Sequence, residues 1–275
     1  MPPAPSSAHE ETTAPPRLRV LVLGGTTEAS ALCRMLGTTW PTCHAVLSLA
    51  GVTTQPHLPD MTTRIGGFGG VEGLVDWLHH NAINAVVDAT HPFAAQMSHN
   101  AALACAVAKL PLLRLERPGW SATPQDQWLM VPSIVDAAHT LAHTSEWSRP
   151  HSVFLTTGRK ETRPFLAAPQ HQYLFRSIET PDTADLPPRT RVLRARGPFD
   201  LSAELQLMQA QKITVLVTKN SGGSATYPKL EAARMLGIPV IMIARPPPQN
   251  TPRAKDATVA LTWLHQCASS TLRAV

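Results

Sequence analysis

Residues 90–118 and 218–246 are two versions of one segment. Thr90-His91-Pro92 opens the first, which closes on Leu110-Pro111-Leu112-Leu113-Arg114-Leu115-Glu116-Arg117-Pro118. Thr218-Lys219-Asn220 opens the second, which closes on Ile238-Pro239-Val240-Ile241-Met242-Ile243-Ala244-Arg245-Pro246. Thr90 and Thr218, Pro111 and Pro239, and Pro118 and Pro246 are each 128 positions apart, so Arg117 falls on Arg245 without a gap. Such a period is too long for a solenoid unit. It implies two related lobes facing each other, and the cleft between lobes is a common place for a ligand.

The surrounding pattern is α/β. Short apolar runs at 19–23, 45–49, 85–88 and 112–113 alternate with amphipathic stretches at 29–36, 71–80 and 93–109. After a polar stretch at 121–127 the alternation resumes, with strands expected at 153–155, 173–175, 192–193, 215–217 and 240–243. Helices are expected near 201–211 and 225–236. Runs that are apolar throughout suit parallel strands buried on both faces, joined by right-handed crossovers. The expected layout is a disordered tail at 1–17, a first lobe at 18–120, a second at 121–250 and a C-terminal helical segment at 251–275.

Bulk composition narrows the partners. A net charge of +5, without a dense basic run interleaved with aromatics, favours an acidic small ligand over nucleic acid. No apolar stretch is long enough to span a bilayer, and the N-terminus lacks the features of a signal peptide. The four cysteines are scattered, with no CxxC pair, so neither a metal site nor a redox motif is indicated. A cytoplasmic protein with free thiols is the expectation.

Candidate chemistry sits where strands end, the edge at which such sheets bind ligands. Gly24-Gly25-Thr26-Thr27-Glu28 joins the first strand to the first helix. It reads either as a phosphate-binding turn or as a tight turn with a Thr N-cap. The G-x-G-x-x-G spacing is absent, because Thr26 and Ala29 stand at the later glycine positions. Past the second strand, through Ser48, Gly51, Val52, Thr53 and Thr54, no acid precedes Asp60. No carboxylate there opposes a 2′-phosphate, which favours NADP over NAD if a dinucleotide binds. Gly66-Gly67-Phe68-Gly69-Gly70 allows close backbone approach to a ligand. Asp88-Ala89-Thr90-His91 and its repeat counterpart Thr218-Lys219-Asn220-Ser221-Gly222-Gly223 supply polar loops, with Lys219 falling where His91 falls. Arg159 and Arg196 place further positive charge beside strand ends.

Taken together, LVLGGTTEASAL, LSLAG, RIGGFGG, DATHPFA, PLLRLERPGW, RGPF and VTKNSGG, with KLEAAR behind the last, resemble the precorrin-6A reductase family of cobalamin biosynthesis and its cobalt-precorrin-6A counterpart. The resemblance implies two Rossmann-like lobes with mainly parallel sheets. It implies NADPH as cofactor and a tetrapyrrole substrate, precorrin-6A or its cobalt form, bearing several acetate and propionate groups. Hydride would pass to ring carbon C19 and a proton to C18. The cofactor would lie on Gly24 to Glu28, Ser48, Gly51, Gly66 to Gly69, Thr90 and His91. The substrate would lie on Arg159, Arg196, Lys219, Asn220, Ser221 and Gly222. The proton donor would be Lys219, His91 or a bound water. One departure stands out: the family often carries Arg where this chain has Val52, and if that Arg grips the 2′-phosphate, then Ser48, Thr53, Thr54 or Arg64 would have to compensate here, or the NADP preference would weaken. The alternatives are a non-catalytic dinucleotide or tetrapyrrole binder and another NADP-dependent oxidoreductase. A short-chain-type reductase is disfavoured, because the residues four positions beyond Tyr173 and Tyr227 are Ser177 and Glu231, not Lys.

Overall fold

Among the described residues every strand pairing is parallel, in two separate six-stranded sheets. The computed structural model describes residues 18–51 and 61–271; the segment 1–17, Val52, Thr53, Thr54 and Asp60 lie outside the described residues. The first lobe contains β1 (Arg19–Leu23), α1 (Thr27–Thr39), β2 (His44–Leu49), β3 (Thr63–Ile65), α2 (Gly70–His80), β4 (Ala85–Asp88), α3 (Ala95–Ala108) and β5 (Leu112–Leu115). Then come β6 (Trp128–Val131), α4 (Ile134–His143), β7 (Ser152–Thr156), β8 (Gln172–Ser177), β9 (Thr190–Arg194), α5 (Leu201–Ala210), β10 (Val215–Lys219), α6 (Pro228–Met235) and β11 (Val240–Ile243). β12 (Arg253–Ala254) and α7 (Ala257–Thr271) follow.

The apolar runs become strands buried on both faces. In β1, Val20 and Val22 enter one core while Leu21 and Leu23 enter the core on the opposite face. In β10, Val215 and Val217 divide from Leu216 in the same way. This is the two-residue period of a strand, with both of its faces covered by helices. Helix α1 starts at Thr26, whose side chain accepts from Ala29 N, and it buries Ala29, Leu32, Cys33 and Leu36. That spacing keeps one helical face on the sheet.

Sheet order is β12-β5-β4-β1-β2-β3 in the first lobe and β6-β11-β10-β7-β8-β9 in the second. The two orders correspond position by position, and a shift of 128 residues lays β5 on β11 end to end. The edge strands are exchanged. β6 follows β5 in the chain but pairs with β11, and β12 follows β11 but pairs with β5. Helix α7 continues that return. Ala257, Ala260 and Leu264 are buried with Val20, Leu32 and Leu36 in the first-lobe core. The segment expected at 251–275 thus serves the first lobe.

Strands β3, β6 and β12 and helix α4 went unread in the sequence. Strand β6 presents exposed Leu129 and Met130 at a sheet edge, so it lacks the burial of a central strand. Strand β3 has only three residues, and α4 has ten. Among the described residues no helix is long and apolar enough to cross a membrane.

Because α7 completes the first core, Leu264→Ala is expected to destabilise the protein by about 3 kcal/mol. Equilibrium urea unfolding checks this. A loss near zero would show α7 to be dispensable to that core.

Candidate active site

The linker after β5 and the loop after β10 cross and lock together. Asn220 Oδ1 accepts from Trp120 N at 2.7 Å, while Asn220 Nδ2 donates to Trp120 O at 2.9 Å. Trp120 Nε1 donates to Gly223 O at 2.9 Å. Arg117 donates from Nε to Ser221 O at 2.9 Å and pairs through Nη1 with Glu28 Oε2 at 2.6 Å. Its repeat counterpart Arg245 donates to Asn220 O (2.8 Å), Arg117 O (2.9 Å) and the same Ser221 O (3.1 Å). The crossing demands glycine at 222. Its φ is +68°, and a Cβ there would meet Pro118 O at 2.1 Å.

The crossing brings the Thr90–His91 loop of the first lobe against the carboxyl ends of β7 to β10. A pocket of about 440 Å³ opens there, lined by His91, Gly158, Arg159, Arg176, Phe199, Lys219, Ser221 and Lys229 among others. Lys219 Nζ lies 2.6 Å from Glu161 Oε2 and 5.0 Å from the ring centre of Phe93, a first-lobe residue. Arg159 approaches Glu179 at 3.9 Å. Beneath them Arg176 forms a buried ion pair with Glu204 and lies 3.7 Å from the ring centre of Phe199. Lys229 is only 4% exposed. Its Nζ donates to Thr226 O at 3.0 Å and sits 5.0 Å from the ring of Trp120. Burial, with Arg176 adding to it and Glu204 opposing, pushes the Lys229 ammonium down to about 7.

His91 is held neutral. Its Nδ1 accepts from Phe93 N at 3.2 Å, which leaves the proton on Nε2. Burial foremost, then the positive charges of Lys219, Arg117, Arg245 and Arg114, push its pKa down to about 3. The loop carrying it is fixed from behind. Asp88 Oδ1 accepts from Thr90 N and Oγ1, and buried Arg114 donates to Thr90 Oγ1 at 2.9 Å and pairs with Asp88 at 2.8 Å.

The first-lobe turn divides its labour. Thr26 caps α1 and also donates to Ala89 O at 2.8 Å. Gly24 is packed, since a Cβ there would meet Leu47 at 2.4 Å. Gly25 has φ +114° and nothing within 4 Å of where a Cβ would stand, so its backbone is open to a ligand. Thr27 is exposed and donates to Glu28 Oε1, while the other oxygen of Glu28 carries the Arg117 pair. Across the sheet edge Ser48 accepts from Arg64, whose guanidinium lies over the ring of Phe68 and donates to the carbonyls of Gly66 and Gly67. Gly51 packs on Ile65, and Gly69 precedes α2 in the left-handed region.

The structure thus gathers His91, Arg159, Lys219 and Ser221 around one pocket, and Gly25, Ser48 and Gly66 to Gly69 along the edge of the first sheet. Asn220 and Gly222 serve the crossing, and Thr90 serves the Asp88–Arg114 network. Arg196 is exposed between Ala195 and Gly197, which line the pocket. Sequence reasoning did not assign roles to Arg176, Glu204 and Lys229. In a helical pattern Lys229 looks like a surface lysine; its burial follows from how α6 packs under Trp120. Arg117 and Arg245 did carry a signal, because they are repeat mates.

Two parallel α/β lobes, with an open glycine turn in one and a cationic pocket where they meet, define a two-domain Rossmann-like architecture built to hold small ligands at strand ends. The family model described as "Precorrin-6x reductase CbiJ/CobK" matches residues 19–265, and the chain belongs to that family. It is 45% identical over 247 residues to the precorrin-6A reductase of Rhodococcus erythropolis, covering 90% of this chain and 97% of that protein. Identity to the precorrin-6A reductase of Rhodobacter capsulatus is 46% over 228 residues, covering 83% and 88% respectively. A solved structure described as CobK precorrin-6A reductase superposes with a TM-score of 0.82 at 43% identity, over 91% of this chain and 97% of that one.

The neutral state of His91 has a consequence for stability. The unfolded chain takes up a proton below the ordinary value of 6.5, whereas the folded chain resists until about 3. Stability is therefore full above pH 6.5 and falls as pH drops towards 3. His91→Asn is expected to remove about 2 kcal/mol of the loss between neutral pH and pH 4.5. Urea titrations at the two pH values check this; an unchanged difference would show that His91 is not held neutral.

Proposed function

We infer that this chain reduces precorrin-6A to precorrin-6B in cobalamin biosynthesis, with NADPH as the hydride donor. The observation that carries the inference is the pocket itself. Arg159, Arg176, Lys219 and Lys229 line one cavity at the meeting of two lobes in a member of this reductase family. A macrocycle bearing several acetates and propionates suits such a cationic wall.

The first-lobe edge fits a dinucleotide. Gly25 leaves its backbone open beside the N-terminus of α1, a position suited to phosphate. Ser48 and Arg64 stand farther along the same edge, where a ribose would lie. Bound there, NADPH would supply a hydride to C19. The chain's own residues do the rest. His91 offers Nε2–H to the ligands as a hydrogen-bond donor, and its resistance to protonation keeps it from serving as the acid. Arg159, Arg196 and the loop at Ser221 hold and orient the substrate carboxylates.

Lys219 is our assignment for the group that gives the proton to C18. It stands at the cavity wall, on Glu161 and Phe93, at the lobe junction. One observation favours a second reading, with Lys229 as donor. Its pKa of about 7 matches a group that gives up and regains a proton near neutrality.

Steady-state turnover separates these roles, followed by NADPH absorbance and the macrocycle's visible bands. The variant lacking the donor, Lys219→Met or Lys229→Met, is expected to lose about 100-fold in kcat, whereas the other lysine's loss falls mainly on KM. Wild-type kcat in both variants would remove a lysine donor. Absence of any NADPH-linked spectral change in the wild type would leave a binding protein instead.

A further inference from the structure

We propose that Arg64 recognises the 2′-phosphate of NADP(H) and sets the preference for NADP over NAD. The proposal rests on the dinucleotide assignment above and names the residue that discriminates within it.

The location is set by the sheet. Gly24 N donates to Ser48 O at 2.9 Å, so the open turn at Gly25 abuts the end of β2. Arg64 is the register partner of Ser48 on β3, the next strand out. From β1 to β3 is two strand spacings, about 10 Å, the side of the turn on which an adenosine ribose extends.

Arg64 is already oriented for an anion. Nη1 donates to Ser48 Oγ at 2.8 Å and to Gly66 O at 3.0 Å, and Nη2 donates to Gly67 O at 2.9 Å. Its Cζ lies 3.8 Å from the ring centre of Phe68, with Trp77 behind at 5.6 Å. A guanidinium has five N–H donors. Three are spent on the neutral partners just named. Among the described residues Nε–H and one Nη2–H are left over, and that edge of a guanidinium can meet two oxygens of a phosphate side-on. Among the described residues no carboxylate pairs with Arg64. Fixed carbonyls and a ring therefore hold a full positive charge in place without neutralising it. Burial, which disfavours the charged form, is the one force acting against it. Val52, which lies between β2 and β3 in the sequence, is neutral and supplies no competing cation. The Gly66-Gly67-Phe68 cluster thus has a task beyond approach to a ligand: its carbonyls and ring are the mount for Arg64.

Isothermal titration of the full chain with NADP⁺, NAD⁺, 2′,5′-ADP and 5′-AMP tests the assignment. Wild type is expected to bind the 2′-phosphorylated member of each pair at least about 30-fold more tightly, the worth of a bidentate charged contact. Arg64→Met is expected to lose that ratio while NAD⁺ affinity stays within about threefold. Arg64→Lys, which keeps the charge without the fork, is expected to fall between the two and guards against a misfolded variant. Equal weakening of both members of a pair in the variants would overturn the proposal, because it would mark Arg64 as a scaffold for the loop. A wild type that binds NADP⁺ and NAD⁺ equally would overturn it too, while leaving the dinucleotide assignment standing. A wild type that binds no dinucleotide would overturn that assignment itself.

Discussion

The carbonyl oxygen of Ser221 accepts hydrogen bonds from Arg117 and Arg245, the two arginines that the internal repeat makes equivalent. One leaves the last repeated strand of the first lobe and the other that of the second, so a single acceptor registers both lobes. Charged donors make such bonds shorter and stronger than neutral ones. The cost of withdrawing two guanidinium groups from water is offset by Glu28 and Glu116, which pair with them at 2.6 Å and 3.5 Å. Around this point the Asn220 amide reads both backbone groups of Trp120, and Gly222 yields its side-chain volume to Pro118 O. With the loop held so, Lys219 stands on Glu161 and 5.0 Å from the ring centre of Phe93.

Exchange of edge strands adds a covalent constraint to this clamp. The chain crosses between lobes after β5 and returns after β11, and each crossing ends in a strand of the opposite sheet. A two-residue strand is weak by itself. It is held because α7, immediately behind it, buries Ala260 and Leu264 in the first core. Opening of the cleft therefore strains two connections and a shared loop, which favours a cavity already formed before ligands arrive.

Much of this was legible in the residues. The 128-residue offset required two like lobes, and it placed the β5 and β11 equivalence to the residue. Alternation of apolar runs and helical stretches required parallel sheets, because those runs carry no polar face. What was hidden depended on long-range packing. Leu129 and Met130 are exposed, so β6 has no burial signature, and nothing local marks β12 as a strand of the other lobe. Thr26 was open to two uses; the structure spends its side chain on Ala29 N and Ala89 O. The charge of a buried lysine is set by neighbours distant in sequence. Arg176 and Glu204 act on Lys229 from 53 and 25 residues away, distances that no local window spans.

The charges sort themselves by lobe. The second lobe supplies the cations of the pocket, while the first supplies a neutral imidazole, an open turn and a mounted arginine. Under the proposed function, that division would place the polyanionic substrate on one side and the dinucleotide on the other. A crystal structure of the chain soaked with NADP⁺ tests the division most directly. The adenosine half is expected across Gly25, Ser48 and Arg64, with the nicotinamide directed at the cavity beside His91 and Lys219. Density for the dinucleotide along the β7 to β10 loops, with the Gly25 turn bare, would contradict it.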